Sequence, residues 1–246
     1  MRAKLIQATQ NPVEVMWVAA RTCYSELSPI ELWEEAATTP SDKKWKLIEQ
    51  VLGSGHASIA EHVYFTFAIE GISRVDSHQL VRHRHCTFSQ KSQRYVEIKE
   101  DMNEVYKLLH SFSPSEATSP LIIMCNKYFV GVTKDNVFDY GEALWQYLKR
   151  VHQGEAPEDA RMVLPNATKT DLVMSINLRE LIHVSNLRLC TRAQGGIRRL
   201  FREIKNEVTE YNEKLGGLLV PSCEVAGYCV EHKSCGRKPM LKDLLS

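Results

Sequence analysis

Val63-Tyr64-Phe65-Thr66-Phe67-Ala68-Ile69-Glu70-Gly71 is the stretch whose reading decides the fold class. Val63, Phe65, Phe67 and Ile69 fall on every second position, the period of a strand with a buried face, and Gly71 ends the run. On both sides the period changes to that of helices. Upstream, Asn11 and Pro12 pair a cap with a first-turn proline, and Val15, Met16 and Ala19 predict a helix ending near Tyr24. Trp45, Ile48, Val51 and Leu52 predict another over Lys43 to Leu52, closed by Gly53-Ser54-Gly55. Downstream, Val75, Gln79 and Arg82 share a helical face between Ser73 and about His83, and Ser113 to Pro120 reads as a Ser/Pro-rich turn. Tyr140 to Val151 reads as an amphipathic helix, and Pro157 opens a short one that Pro165 stops. Leu172, Met174 and Ile176 alternate as a second strand, followed by a helix over Arg179 to Thr191. Ile197, Leu200, Phe201, Ile204, Val208, Tyr211 and Leu215 form the clearest helical stripe, over Ile197 to Leu215. A few strands among many helices, with no repeat or dividing linker, predict a single helix-rich α/β or α+β domain.

Composition agrees. With 43% hydrophobic and 25% charged residues, the 246-residue chain is neither disordered nor collagen-like. A chain of this length buries roughly three quarters of its unfolded surface, enough for a core without disulfide staples. Thirty-one Lys+Arg against 30 Asp+Glu give a net charge of +1, so the chain has no global electrostatic reason to coat nucleic acid or a membrane. Seven cysteines, odd in number and scattered, do not read as a secreted disulfide framework. No apolar run reaches the ~18 residues of a membrane span, and Met1 to Gln10 has no cleavable leader pattern. The expectation is a soluble, cytoplasmic protein.

Charge is concentrated locally. Between Asp76 and Glu97 there is no acid, while Arg82, His83, Arg84, His85, Lys91 and Arg94 are interleaved with Ser89, Gln90, Ser92 and Gln93. Guanidinium groups pair bidentately with phosphate or carboxylate, and amides and hydroxyls fix orientation, so the stretch reads as an anion site. A solvated surface face is the plainer alternative. A second cluster comprises Arg161, Arg179, Arg188, Arg192, Arg198, Arg199 and Arg202, of which Arg198, Arg199 and Arg202 read as decoration on the solvent side of the long helix. Two clusters suit a ligand set carrying several phosphates, in a nucleotide enzyme or in a nucleic-acid-binding module.

The familiar nucleotide loops are missing. Gly53-Ser54-Gly55 lacks the third glycine of the dinucleotide fingerprint and precedes the strand, and there is no phosphate-loop Gly-Lys-Ser/Thr. Side chains must therefore hold any phosphates. His83 with His85, and His56 with Glu61 and His62, lack zinc-protease spacing, so no catalytic metal is expected. Cys223, Cys229, His232 and Cys235 could supply four zinc ligands, with free thiols on a C-terminal tail as the plainer reading. His56, Glu61 and His62 read equally well as strand-entry residues, and Trp17, Trp33, Trp45 and Trp145 as core or interface.

The run Arg82-His83-Arg84, seven further residues and then Ser92-Gln93-Arg94-Tyr95 resembles the signature of the flavin-dependent thymidylate synthases. His56-Ala57-Ser58-Ile59-Ala60-Glu61-His62 and Gln79-Leu80-Val81 precede it, and Arg161-Met162-Val163-Leu164-Pro165 and Asn177-Leu178-Arg179 to Arg188 follow, in the family's order. Ala20-Arg21-Thr22-Cys23-Tyr24 and Ser234-Cys235-Gly236-Arg237-Lys238-Pro239 extend the resemblance, which is weakest from Glu100 to Glu155.

The resemblance implies an α+β, helix-rich single domain around a small mixed or antiparallel sheet, the thymidylate synthase-complementing-like fold, over residues 1–220 with a tail at 221–246. It implies reductive methylation of dUMP to dTMP, with 5,10-methylenetetrahydrofolate giving the one-carbon unit and FAD reduced by NADPH giving the hydride. Sites would lie at subunit interfaces of a homotetramer, with no nucleic-acid or membrane partner. It places Ser58, Arg82, His83, Arg84, Gln90, Asn177, Leu178, Arg179 and His183 at the flavin. It places Gln79, Leu80, Val81, Arg82, Gln90, Lys91, Ser92, Gln93, Arg94, Arg161 and Arg188 at dUMP. Arg188 matches the catalytic arginine that stabilises negative charge on the uracil ring.

Two positions depart from the pattern. Gln90 stands where some members carry Glu, and His183 where others carry Asn, so Gln90 can only hydrogen-bond while His183 could stack on the flavin or titrate near it. Ser92 has no base assigned beside it and reads as a hydrogen-bonding partner of dUMP. Cys86 lies inside the motif at a position the family does not fix. The rivals are a nucleic-acid-binding module built on Arg82 to Arg94 and a different flavoenzyme on the same scaffold.

Overall fold

The structure, a computed structural model, describes residues 1–110 and 114–245. In chain order, β1 (Arg2–Ala8), α1 (Pro12–Thr22), α2 (Pro29–Thr38) and α3 (Ser41–Gly53) lead through a 3-10 turn (Ala57–His62) into β2 (Tyr64–Ser73). Next come α4 (Arg74–Leu80), β3 (Cys86–Gln90), α5 (Met102–Leu109), α6 (Pro114–Tyr128), α7 (Val137–His152) and α8 (Pro157–Ala160). The chain finishes with β4 (Lys169–Asn177), α9 (Leu178–Arg188), α10 (Gly195–Tyr211), α11 (Glu213–Gly217), α12 (Ser222–Ala226) and α13 (Leu241–Leu244). The strands form a four-stranded antiparallel sheet in the order β1-β2-β4-β3, and the architecture is α+β.

Two compact units divide the chain. The first comprises Met1–Arg2, Ile69–Arg82 and Ser89–Leu172. Its core is a helical cluster in which α5, α6 and α7 pack together, with Leu121, Phe129, Val137, Leu144 and Tyr147 buried. The second comprises Ala3–Ala68, His83–Phe88 and Val173–Ser246. There α1 packs on α2 and α3, and α10 on α11, with Met16, Trp17, Ile48, Phe65, Phe67, Phe201 and Ile204 buried. Trp45 is also buried, while Trp33 is exposed.

Local chemistry explains the boundaries. Ser28 and Glu31 form a reciprocal capping box on α2, worth on the order of 1 kcal/mol. The stripe read as one helix over Ile197 to Leu215 is two helices: Asn212 leaves helical conformation (φ −156°, ψ 111°), and its side chain accepts the Leu215 amide at 3.1 Å to start α11. Gly216 makes that corner possible, because a Cβ there would lie 2.1 Å from Thr209 Oγ1.

Part of the Ser/Pro-rich segment read as a turn is helix instead. Ser113 lies outside the described residues, but Pro114 opens α6 and Pro120 sits within it. Ala117, Leu121, Met124 and Cys125 recur at helical spacing and are buried, which outweighs the one backbone bond Pro120 removes. The helix expected from Ser73 to His83 stops at Leu80. β1, α2, β3 and α5 had no counterpart in the periodicity reading. Among the described residues, no helix is long and apolar enough to cross a membrane.

Candidate active site

In the second unit the site is built on α9. Asn177 caps this helix by accepting the Glu180 amide at 2.8 Å, which sets Glu180 in the first turn and Arg188 in the last. Between them stands His83, 9% exposed. The Arg188 Nε–H donates to His83 Nε2 at 3.1 Å, and the ring's Nδ1 lies 3.9 Å from Glu180 Oε1. Burial, then the neighbouring Arg188 and His183, push the His83 pKa down to about 4, so the imidazole is neutral at physiological pH. Burial likewise holds the Arg188 guanidinium below its ordinary value. Cys86 is close enough to feel Glu180, and burial with that charge raises its thiol to about 12, which makes it an inert neighbour.

The remaining residues expected at the flavin are spread along the same unit. Arg179 pairs with Glu61, which gives the latter a side-chain partner, while Arg84 and His183 are exposed. Leu178 is fully buried, and its amide donates to Val63 O at 2.7 Å. Ser58 lies with Arg21, His56 and His62 on the wall of a cavity of about 540 Å³. Arg198 is only half-buried, donating from Nη1 to Thr191 O at 2.9 Å, whereas Arg199 and Arg202 face solvent.

The first unit contributes a cationic cleft. Ser73 caps α4, and the amides of Arg74 and Val75 donate to the carbonyls of Thr168 and Asn166 at 2.9 and 3.2 Å, fixing the helix against that segment. Arg74 and His78, one turn apart, then line a cavity of about 270 Å³ with Gln93 and Arg161. Burial and the proximity of Arg161 both hold the Arg74 guanidinium below its ordinary value. Among the described residues, neither Arg74 nor Arg161 forms a salt bridge with a carboxylate. Two close cations without a counter-charge are what a phosphate-binding pocket needs. Arg74 and His78 were missed in the sequence because both lie outside, or unremarked within, the acid-free stretch; their four-residue spacing was the available signal.

Of the residues expected at dUMP, Gln93 and Arg161 line this cleft. Elsewhere in the first unit, Gln90 Nε2 donates to Ser77 Oγ and Thr170 Oγ1, each at 3.1 Å. Ser77 in turn donates to the Arg74 carbonyl at 2.9 Å. Lys91 pairs with Asp171 at 3.4 Å and Arg94 with Glu158. Ser92 Oγ accepts the Arg94 amide at 3.1 Å, a turn-forming bond. Leu80 is fully buried, Gln79 half-buried, and Val81 and Arg82 exposed.

Elsewhere, Cys190, Cys223, Cys229 and Cys235 line one pocket, yet among the described residues no group of three or more His, Cys, Asp or Glu side chains is arranged to hold a metal ion. Cys229 donates its amide to Pro239 O at 2.7 Å, and Ser222 Oγ donates to Asn186 O at 3.1 Å.

Comparison with known proteins places the chain in a family. The family model described as "Thymidylate synthase complementing protein" matches residues 4–211. The flavin-dependent thymidylate synthase of Clostridium tetani is 35% identical over 99% of this chain and 96% of its own length. That of Pyrococcus horikoshii is 37% identical over 95% of this chain and 91% of its own. A Helicobacter pylori structure, described as a flavin-dependent thymidylate synthase complexed with FAD and dUMP, shares the fold with a TM-score of 0.70. It is 23% identical and is covered completely by 89% of this chain. With its sequence matched from end to end and its fold shared, the chain belongs to the family of the flavin-dependent thymidylate synthases.

Proposed function

We propose that this protein is an FAD-dependent enzyme that methylates dUMP to dTMP, with 5,10-methylenetetrahydrofolate as one-carbon donor and NADPH as reductant. The observation that carries the reading is the cleft lined by Arg74, Arg161 and Gln93, in which, among the described residues, neither arginine is paired with a carboxylate. Its charge and size suit a nucleotide monophosphate, and the related structure named above is described as holding FAD and dUMP.

The donor set fits both ligands. Arg74, Arg161, Gln93 and Arg94 would hold the dUMP phosphate, with Gln79, Leu80, Val81, Arg82, Gln90, Lys91 and Ser92 around the nucleoside. Ser58, Arg82, His83, Arg84, Gln90, Asn177, Leu178, Arg179 and His183 would hold the flavin through guanidinium, amide and hydroxyl groups in place of a glycine loop. Reduced FAD, when bound, supplies the hydride that completes the methyl group.

The protein's own part is positioning and electrostatics. Arg188, oriented by His83, presents a fixed positive charge to the uracil ring and stabilises negative charge at N3, making C5 more nucleophilic toward the one-carbon unit. A preorganised donor of this kind contributes about 3 kcal/mol. Ser92, engaged with the Arg94 amide, orients substrate and does not attack it. The enzyme acts in the cytoplasm as a homotetramer with sites at subunit interfaces.

The test is the visible spectrum of the purified protein supplied with FAD, before and after dUMP, followed by assay of dTMP. Flavin bands that shift with dUMP, together with product, are expected. No flavin binding would overturn the cofactor assignment, and salt-sensitive nucleic-acid binding in its place would favour the rival reading.

A further inference from the structure

We infer that Glu180 is a positioning residue for Arg188, acting through His83: its carboxylate keeps the imidazole proton on Nδ1 and leaves Nε2 to accept from the guanidinium. The inference rests on the reading of Arg188 as the group that meets the uracil ring.

Geometry dictates the tautomer. An Arg188 Nε–H donating to His83 Nε2 at 3.1 Å requires a lone pair on that nitrogen, so the ring proton must sit on Nδ1. Nδ1 is the atom that faces Glu180 Oε1, at 3.9 Å. The side chains of His83 and Glu180 are only 9% and 13% exposed, so a negative charge at this range acts on the ring with little screening. Among the described residues, the charged and titratable groups near the ring include Glu180, Arg188 and His183, with the un-ionised Cys86 thiol beside Glu180. The two basic groups and burial keep the ring neutral, and the carboxylate selects which nitrogen carries its proton.

The helix makes the arrangement rigid. Glu180 and Arg188 are eight residues apart on α9, about 12 Å along its axis, and the ring bridges the side chains that reach toward it from the two ends. The Asn177 cap fixes the Glu180 backbone, so the carboxylate starts from an ordered position. With Nε engaged by the ring, the plane of the Arg188 guanidinium is set before substrate arrives. In the opposite tautomer, two N–H groups would point at each other and the guanidinium would swing away.

The experiment is a double-mutant cycle on the flavin-loaded enzyme, with dTMP formation measured at saturating dUMP for wild type, Glu180→Gln, Glu180→Asp, His83→Gln and Glu180→Gln/His83→Gln. Glu180→Gln should lower kcat about tenfold, the low end of the loss seen when a metal-bound histidine loses its orienting carboxylate, with the thermal midpoint and flavin affinity unchanged. Glu180→Asp keeps the charge and should restore most of the rate. In the His83→Gln background, Glu180→Gln should cost no more than about twofold. A purely structural role at the third helix position is filled by Gln as well as by Asp, so it predicts no loss in Glu180→Gln. Wild-type kcat in Glu180→Gln, or an equal loss in both backgrounds, overturns the inference. A wild-type enzyme that forms no dTMP overturns instead the functional reading on which it rests.

Discussion

Acid should weaken this protein through His83, and the amount follows from its surroundings. The unfolded imidazole titrates near 6.5 and the folded one near 4, because it is buried against Arg188 and His183. Between those values the unfolded chain binds more protons, so stability falls as pH drops from neutral and the loss is complete below about 4. The whole separation corresponds to about 3 kcal/mol, of which about 2 kcal/mol is gone by pH 5. His83→Gln removes the titrating group and leaves an amide oxygen that can accept from Arg188. Urea unfolding of both proteins between pH 7 and pH 5 gives two stability curves, the wild-type one steeper by about 2 kcal/mol over that range. At pH 7 the variant should be similar or somewhat less stable, and by pH 5 the gap should narrow or reverse. Parallel curves would show that His83 does not stay neutral in the folded state and would refute the argument.

Other consequences can be checked separately. Arg74→Ala and Arg161→Ala should each weaken dUMP binding about 10- to 100-fold by titration while leaving flavin binding intact, since each removes about 1.5–3 kcal/mol of charged hydrogen bonding; unchanged affinity in both would remove the phosphate from this cleft. Gly216→Ala should cost about 1–3 kcal/mol in chemical denaturation, because the new Cβ would lie 2.1 Å from Thr209 Oγ1; a neutral result would mean the α10–α11 corner yields freely. In alkylation at mild pH followed by peptide mapping, Cys235 should react before Cys86. The exposed Cys235 thiol is lowered by a hydrogen bond from Thr191 and by its contacts with Arg237, whereas Cys86 is raised to about 12. Equal rates would contradict that contrast.

The parts of the fold legible in the sequence are those where one face alone is buried. Phe65, Phe67 and Ile69 alternate because β2 has one apolar face, and Ile197 to Val208 repeat helically because α10 has one apolar stripe. β3 escaped notice because none of its residues is fully buried, so Cys86 to Gln90 carries no apolar period. α6 was obscured by Pro120, a breaker that tertiary burial overrides. At the site, residue types and family order pointed to Arg188, His83 and Arg161, but spacing gives no sign that a ring 105 positions earlier bonds the Arg188 guanidinium. Glu180 is a first-turn acid of α9 that the sequence reading did not single out, and its place beside His83 depends on a long-range approach that no local pattern records.

Gln90 shows why exchanging one family residue for another is not a local event. Its amide gives protons to Ser77 and Thr170, and Ser77 has already given its own to the Arg74 carbonyl. A glutamate at 90 has no proton to give when ionised, so it can be met only if the hydroxyls reverse direction and Ser77 abandons that carbonyl. Such a reversal costs on the order of 1–3 kcal/mol for the group left unmet. The direction of hydrogen bonding through positions 90, 77 and 74 is thus set as one unit. A glutamate at 90 would have to run that chain the other way, so the hydroxyl of Ser77 and the carbonyl of Arg74 answer to the side chain at 90 although neither is its neighbour in sequence.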